Sequence, residues 1–131
     1  MKRTFIALTL AISTALAAPV TAGGTFTFQL NAKNADEANA IRAGLTLYKV
    51  AKDIEANGHI TQNGINNIAS LAQGGSGNIG IIHQEGNNHN GSIHQNGNNN
   101  SCGLFQFGDG ANGHVNQNGN GQACLVFQAG Y

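Results

Sequence analysis

The feature that most constrains this chain is a glutamine that recurs every eleven residues from residue 62 onward. Each glutamine is followed two positions later by a glycine. The glutamines are Gln62, Gln73, Gln84, Gln95, Gln106, Gln117 and Gln128, and the glycines after the first six are Gly64, Gly75, Gly86, Gly97, Gly108 and Gly119. Seven copies at a fixed spacing indicate a repeat architecture, because compositional bias alone would not produce a constant interval.

Three further positions of the eleven-residue unit are restricted when its glutamine is counted as the first. The sixth is mostly an amide (Asn67, Asn78 and Asn100), the eighth is small, and the tenth is aliphatic (Leu71, Ile82, Ile93, Leu104, Val115 and Val126). Restricted positions two residues apart are typical of one face of a β-strand. We therefore expect a strand of about six or seven residues per unit, then a turn of about four whose glycine adopts a positive φ.

A single strand of this length buries too little surface to be stable, so the units must stack. Two units make a rung of 22 residues, with odd units in one sheet and even units in the other. Each buried amide is expected to donate to its twin one rung above. The predicted fold is all-β, a two-sheet β-solenoid of strand-turn-strand rungs, with a short N-terminal helical segment.

The ends of such a stack are rows of unpaired backbone groups, which proteins usually protect. The repeat frame continues to Tyr131, and no capping segment follows it in the sequence. We therefore expect an uncapped edge that can template a second molecule, giving a linear cross-β fibre.

The first 22 residues have the pattern of a secretory signal peptide. Lys2 and Arg3 precede an apolar run that is too short to span a bilayer, and small residues suitable for cleavage end at Ala17 or Ala22. The predicted organisation is a signal peptide over residues 1–22, an N-terminal segment over 23–57 and the repeats over 58–131. We expect no transmembrane segment in the mature chain.

The segment between the signal and the repeats carries most of the mature charge. Its residues 25–30 alternate as in a short strand, and Asn34 with Glu37 forms a helix N-cap pattern. Apolar residues at helical spacing run to a predicted end at Asn57. Three interpretations stay open: a cap over one end of the stack, a docking element for a secretion or nucleation partner, and a segment that orders only on assembly.

Cys102 and Cys124 lie two units apart, both at the small eighth position. They should therefore face inward on neighbouring strands, with Cα atoms about 4.8 Å apart, which is within the range of a disulfide. Export to an oxidising compartment favours the bridge. The alternative is two small buried thiols.

Composition and spacing argue against several classes of function. Only 9% of the residues are charged and the formal net charge is zero, so no basic surface for nucleic acid is expected. His83 and His94 are eleven residues apart and so fall on opposite sheets, which does not suit a metal site. No acidic pair or nucleophile–base set is found. We expect no enzyme activity, no cofactor and no metal site.

Residues 62–73, which read QNGINNIASLAQ, match the pattern Gln-x-Gly-x-x-Asn-x-Ala-x-x-x-Gln of the curlin repeat. The second unit carries Gly80 in place of alanine, and later units drift further. Over roughly residues 56–131 the chain resembles the curlin family of functional amyloids. The resemblance implies a Gram-negative subunit that is exported to the periplasm, secreted unfolded through an outer-membrane pore, and polymerised at the cell surface for adhesion and biofilm matrix.

The partners that this resemblance implies are further copies of the chain, the secretion pore and a nucleator subunit. Two alternatives remain at this stage. The chain could itself be a minor or nucleator subunit, for which the atypical N-terminal segment leaves room. It could instead be a monomeric solenoid that binds glycans or surfaces through Phe105 and Phe127 on the variable face.

Overall fold

A computed structural model describes residues 25–131, which form eight β-strands and one helix. The predicted signal peptide, residues 1–22, lies outside the described residues. The elements are β1 (Thr25–Asn31), α1 (Ala35–Ala51), β2 (Gly58–Asn63), β3 (Ile68–Gly74), β4 (Ile79–Asn87), β5 (Asn90–Asn98), β6 (Ser101–Asp109), β7 (Asn112–Asn120) and β8 (Ala123–Gly130). The predicted all-β solenoid with a short N-terminal helix is confirmed.

Successive repeat strands alternate between two parallel sheets. Sheet A contains β2, β4, β6 and β8, and sheet B contains β3, β5 and β7. Every parallel pairing joins residues 22 apart, as in Gln84 beside Gln106 and Ile93 beside Val115. Each rung therefore places chemically similar side chains one above another, as the repeat predicts.

Most of the repeat strands are longer, and their turns shorter, than the sequence suggests. Strands β4 to β7 have nine residues each, because pairing continues through the glycine, as between Gly86 and Gly108. All six predicted turn glycines have a positive φ, between 87° and 129°. A Cβ on Gly86 would overlap the carbonyl oxygen of Gly108 in the next rung, so the position excludes any side chain.

The inner faces of the two sheets enclose a thin core. Its buried apolar residues are Ile82, Ile93, Cys102, Leu104, Val115, Cys124 and Val126, with Leu71 packed partly against them. Each predicted aliphatic position thus contributes to this core. Close approach of the sheets requires the small eighth position, since a Cβ at Gly91 would lie within 2.9 Å of the Leu104 side chain.

Strand β1 corrects the expectation of an uncapped C-terminal edge. It pairs antiparallel with β8, from Thr25 beside Gly130 to Asn31 beside Cys124, and so extends sheet A by one strand. Its alternation directs Phe28 to the outer face, where the ring lies 6.2 Å from that of Phe127. A segment far away in the sequence therefore supplies the cap that the repeat itself lacks.

The helix does not cover an end of the stack, so within the N-terminal segment the cap is β1 and not α1. It lies across the outer face of sheet A and contacts β4, β6 and β8. Ile41 and Leu45 are buried there against Ile81 and Phe105. The reason is that the outer face of sheet A, unlike that of sheet B, carries a large apolar cluster that needs covering.

The helix begins at the N-cap that the sequence predicts but ends before the predicted residue. Asn34 is the predicted N-cap, and its Oδ1 accepts a hydrogen bond from the Glu37 N–H at 2.9 Å. The helix ends at Ala51, earlier than the predicted Asn57. Asp53 adopts a φ of 58°, and Ile54 N–H then donates to Lys49 O at 2.8 Å, a C-terminal pattern that stops the helix.

Candidate assembly site at the ends of the solenoid

The repeated glutamines form two continuous hydrogen-bonded ladders. In sheet A, Nε2 of Gln62 donates to Oε1 of Gln84 at 2.8 Å, and the pattern continues to Gln106 and Gln128 at 2.7 Å each. In sheet B, Gln73 donates to Gln95 at 2.8 Å and Gln95 to Gln117 at 2.9 Å. The predicted twin-to-twin ladder is therefore present in both sheets, and it has one direction.

The second N–H of each interior glutamine crosses the core to the opposite sheet. Gln84 donates to Ile68 O at 2.7 Å, Gln95 to Ile79 O at 2.8 Å and Gln106 to Asn90 O at 3.0 Å. Each amide group thus binds the rung above and the other sheet at once. These hydrogen bonds explain how the glutamine side chains can be buried without leaving an unpaired polar atom.

The asparagines at the sixth position do not form the predicted twin-to-twin ladder. Asn78 Nδ2 donates to the backbone oxygens of Gly74 and Gly97, and its Oδ1 accepts from the backbone N–H of Asn100 at 3.0 Å. Asn67 and Asn100 make equivalent bonds to the backbone, including a bond from His89 N–H to Asn67 Oδ1. The asparagine side chain is too short to reach its twin and instead holds the turns together.

The first rung forms one end of the stack, which we call the head end: the outer edges of β2 and β3. Neither edge pairs with another strand among the described residues. Gln62 and Gln73 are exposed here, unlike the buried Gln84 and Gln95 one rung above. Their Oε1 atoms accept no hydrogen bond within the described part of the chain, so both ladders begin with a free acceptor.

The opposite end, which we call the tail end, consists of the outer edges of β7 and of β8 with β1. On sheet A the ladder terminates when Gln128 Nε2 donates to the hydroxyl of Thr27 at 3.2 Å. On sheet B no strand of residues 25–131 pairs with the outer edge of β7. Gln117 Nε2 donates to Ser101 O at 3.2 Å, and its second N–H has no acceptor in the described chain.

A groove of about 460 Å³ lies along the free edge of β7 at the tail end. Gln29 and Asn31 of β1 line one side, Val115 and Gln117 of β7 line the floor, and Cys124 of β8 contributes at the back. The groove occupies the place in sheet B where the next strand of the solenoid would lie. The tail end is thus closed on one sheet and open on the other.

The two cysteines form a disulfide within sheet A. Cys102 on β6 pairs with Cys124 on β8, and their Cα atoms are 4.6 Å apart. The bridge closes a loop of one rung, with a sequence separation of 22 residues. It connects the last strand of the repeat to the strand below it, beside the closed half of the tail end.

The outer face of sheet A carries a row of aromatic side chains. Phe105 and Phe127 stack at 5.1 Å, and Tyr48 of α1 meets Phe105 edge-on at 5.4 Å. Burial against the sheet raises the pKa of the Tyr48 hydroxyl above its ordinary value. Within residues 25–131, no three His, Cys, Asp or Glu side chains come together as a metal site would require.

No helix of the described residues is long and apolar enough to cross a bilayer.

Two residues that attach the N-terminal segment to the solenoid were missed in the sequence. Thr27 lies in a segment whose alternation predicts a strand, but nothing in that alternation shows that the strand docks on β8. Arg42 donates to Ser101 Oγ at 2.8 Å and to Gly77 O at 2.7 Å, and so attaches α1 to the start of β6 and to the turn before β4. The signal in the sequence for this role of Arg42 was its position as a basic residue within the apolar stripe of the predicted helix.

Comparison with known proteins adds no relative to this picture. No family model, no curated protein and no solved structure matched the chain.

Proposed function

We propose that this chain is a secreted structural subunit that assembles into a cross-β fibre by strand addition at the ends of its solenoid. The observation that carries the proposal is the complementarity of the two ends. The head end presents free glutamine acceptors at Gln62 and Gln73, and the tail end presents a free donor at Gln117. The same ladder that holds the rungs together can therefore continue between molecules.

The composition of the repeat supports assembly over a soluble monomeric role. After residue 62 the only formally charged residues are Glu85 and Asp109, so stacked copies meet little repulsion. Ile65 and Ile68, beside the head end, are 69% and 63% exposed. Exposed apolar residues next to an unpaired strand edge are the features that proteins normally avoid unless the edge has a partner.

The proposal includes assembly at the surface of a Gram-negative cell, and the curlin resemblance is what supports that setting. On this proposal the chain is exported by its signal peptide, crosses an outer-membrane pore before folding, and contributes to adhesion and biofilm matrix. A nucleator subunit would start the fibre. The repeat motif of residues 62–73 supports this setting, and the disulfide is of the kind that persists in oxidising compartments.

The test is assembly of the chain without residues 1–22, diluted from denaturant and followed by thioflavin fluorescence, light scattering and fibre diffraction. We expect a lag, acceleration by seeds, and a meridional reflection at about 4.7–4.8 Å. A β-rich monomer that stays monomeric at high concentration, with or without seeds, would contradict the proposal.

A matched pair of variants distinguishes assembly through the head end from nonspecific aggregation. Ile60→Lys places a charge at the inner face of the exposed β2 edge, where Ile60 is 38% exposed, and should suppress elongation. Leu47→Lys adds the same charge on the outer surface of α1, where Leu47 is 69% exposed, and should leave elongation unchanged. Equal effects of the two variants would argue against growth at the head end.

The alternative of a monomeric binding module is less well supported. Its proposed aromatic face is partly covered, because Phe105 is 8% exposed beneath α1. Phe127 remains accessible at 38%, but its ring stacks between Phe105 and Phe28. A glycan could therefore contact only the edge of the Phe127 ring and not an open aromatic surface.

A further inference from the structure

The number of repeat strands determines how a second molecule must approach the tail end. Strands β2 to β8 alternate between the sheets, so four of them belong to sheet A and three to sheet B. Continuing the same path, the strand after β8 would lie on β7 in sheet B, and the one after that would lie on β8 in sheet A. The first of these two places is the groove, and the second is held by β1.

The incoming copy contributes β2 first, because β2 is the outermost strand of its head end. In the first molecule β2 belongs to sheet A, whereas the groove belongs to sheet B. A copy in the same orientation would place β2 over β8 and leave an empty strand position over β7. Turning the copy by half a turn about the long axis exchanges the sheets and fills both places without a gap.

We propose that the tail end binds the head end of a second copy of this chain rotated by half a turn, with β2 of that copy in the groove on β7 and β3 in the place of β1 on β8. The inference deepens the proposed function and rests on it. Successive subunits of the fibre would then be related by a twofold screw.

The side chains match in this arrangement. On β7, the inward sequence Gly113, Val115 and Gln117 would meet Gly58, Ile60 and Gln62 of the incoming β2. The free N–H of Gln117 would donate to the free Oε1 of Gln62, with the direction found at every interior step of the ladders. The aliphatic column would likewise continue from Val115 to Ile60, which is 38% exposed in the single molecule.

The place on β8 is held by a poorer partner than the incoming strand. Above Val126 and Cys124, β1 places the polar side chains of Gln29 and Asn31, which bond to each other at 3.0 Å. The incoming β3 would place Leu71 and Ala69 there, and Gln73 would replace Thr27 as the acceptor for Gln128. Replacement of β1 by the incoming β3 would therefore restore the aliphatic column and the glutamine ladder that β1 interrupts.

The half turn is tested by a charge pair that meets only in this arrangement. Asn63 on β2 and Asn118 on β7 are both exposed and outward-facing, and the half turn places them side by side between molecules. Without the half turn, Asn63 would face Ala129. The variants are N63K/N118K and N63K/N118D in the chain without residues 1–22, and the elongation of each is measured from seeds made of its own fibres.

We expect N63K/N118K to elongate about fivefold more slowly than N63K/N118D at low salt, because like charges on adjacent strands repel and opposite charges attract. At about 1 M salt, where the screening length is about 3 Å, the difference should disappear. The control pairs N63K/L47K and N63K/L47D keep the lysine at the head end but move the second charge to the outer surface of α1, away from both ends, and should elongate alike.

The displacement of β1 by the incoming strand is tested by strengthening the contact between β1 and β8. Gln29→Leu puts an aliphatic side chain over Val126 and should slow elongation about fivefold by holding β1 on β8. Thr25→Leu, which lies beside Gly130 and not over the core, is the matched control and should have little effect.

The outcomes separate this inference from the proposed function. Equal elongation of the two charge pairs, with fibres still formed, would overturn the half turn while self-assembly stands. Elongation of Gln29→Leu at the wild-type rate or faster would overturn the displacement of β1. Absence of fibres from the wild-type chain would overturn both the inference and the function on which it rests.

Discussion

Thr27 accepts a hydrogen bond from Gln128, 101 residues later in the chain, at 3.2 Å. This bond ends the glutamine ladder of sheet A, which otherwise runs without interruption from Gln62. A hydroxyl can replace the amide acceptor at this point, but it has no amide N–H to pass on to a further rung. Strand β1 thereby ends the glutamine ladder at β8.

The same bond yields a prediction for Thr27→Val, a change of nearly equal shape that removes the acceptor. We expect a loss of about 1 kcal/mol, because one N–H of Gln128 loses its partner beside water. Hydrogen exchange should show earlier opening of β1 than of β6. Thr25→Val is the control, and equal protection of β1 in the two variants would contradict the role of the Thr27 hydroxyl.

Interior ladder residues should matter more than exposed residues on the same strand. Gln95→Leu leaves the carbonyl of Ile79 and the Oε1 of Gln117 without donors, both in buried surroundings. We expect a loss of about 2–4 kcal/mol in unfolding free energy from two unsatisfied groups. Urea unfolding of Gln95→Leu against Asn96→Leu, an exposed position on the same strand, measures it; similar midpoints would count against the ladder.

The turn glycines can be separated into stacked and free positions. Gly86 has a φ of 119° and lies against the backbone of Gly108, whereas Gly110 has a φ of 73° with nothing near its Cβ direction. We expect Gly86→Ala to lose more than about 3 kcal/mol and Gly110→Ala about 1 kcal/mol. Thermal unfolding of the two variants checks this, and equal losses would show that stacking is not the cause.

The disulfide should stabilise the solenoid through its loop. Replacing Cys102 and Cys124 together by Ala removes a closure spanning 22 residues, with an expected loss of about 3 kcal/mol. Both side chains are buried, so Ala is preferred over a polar replacement. Denaturant midpoints of the variant and of the oxidised wild type measure the effect; coincident curves would rule out stabilisation by the bridge.

The helix should be an integral part of the fold. Leu45 is 2% exposed between α1 and sheet A, and Leu45→Ala should cost about 2–5 kcal/mol. Leu47→Ala, on the opposite side of the same helix, should change stability by less than about 0.5 kcal/mol. If circular dichroism showed Leu45→Ala to be as stable as Leu47→Ala, α1 would be dispensable.

Sequence reasoning succeeded where the chemistry repeats. Gln84, Gly86 and Ile82 each occupy a position whose twin 22 residues away has the same requirement, so spacing alone predicts the sheet, the face and the register. It was less accurate for the asparagines, because Asn78 and Gln95 are both amides and only side-chain length decides which of them reaches its twin.

The sequence by itself determined the solenoid, its two glutamine ladders, its turn glycines and the face that carries the cysteines, because each of these depends on contacts between residues a fixed number of positions apart. Only the tertiary structure decided that β1 covers β8, that α1 lies on the outer face of sheet A, and that the tail end is closed on one sheet and open on the other. These contacts join segments with no common period. Their partners are selected by which apolar face and which strand edge remain uncovered once the rungs have stacked, and that is a property of the folded surface.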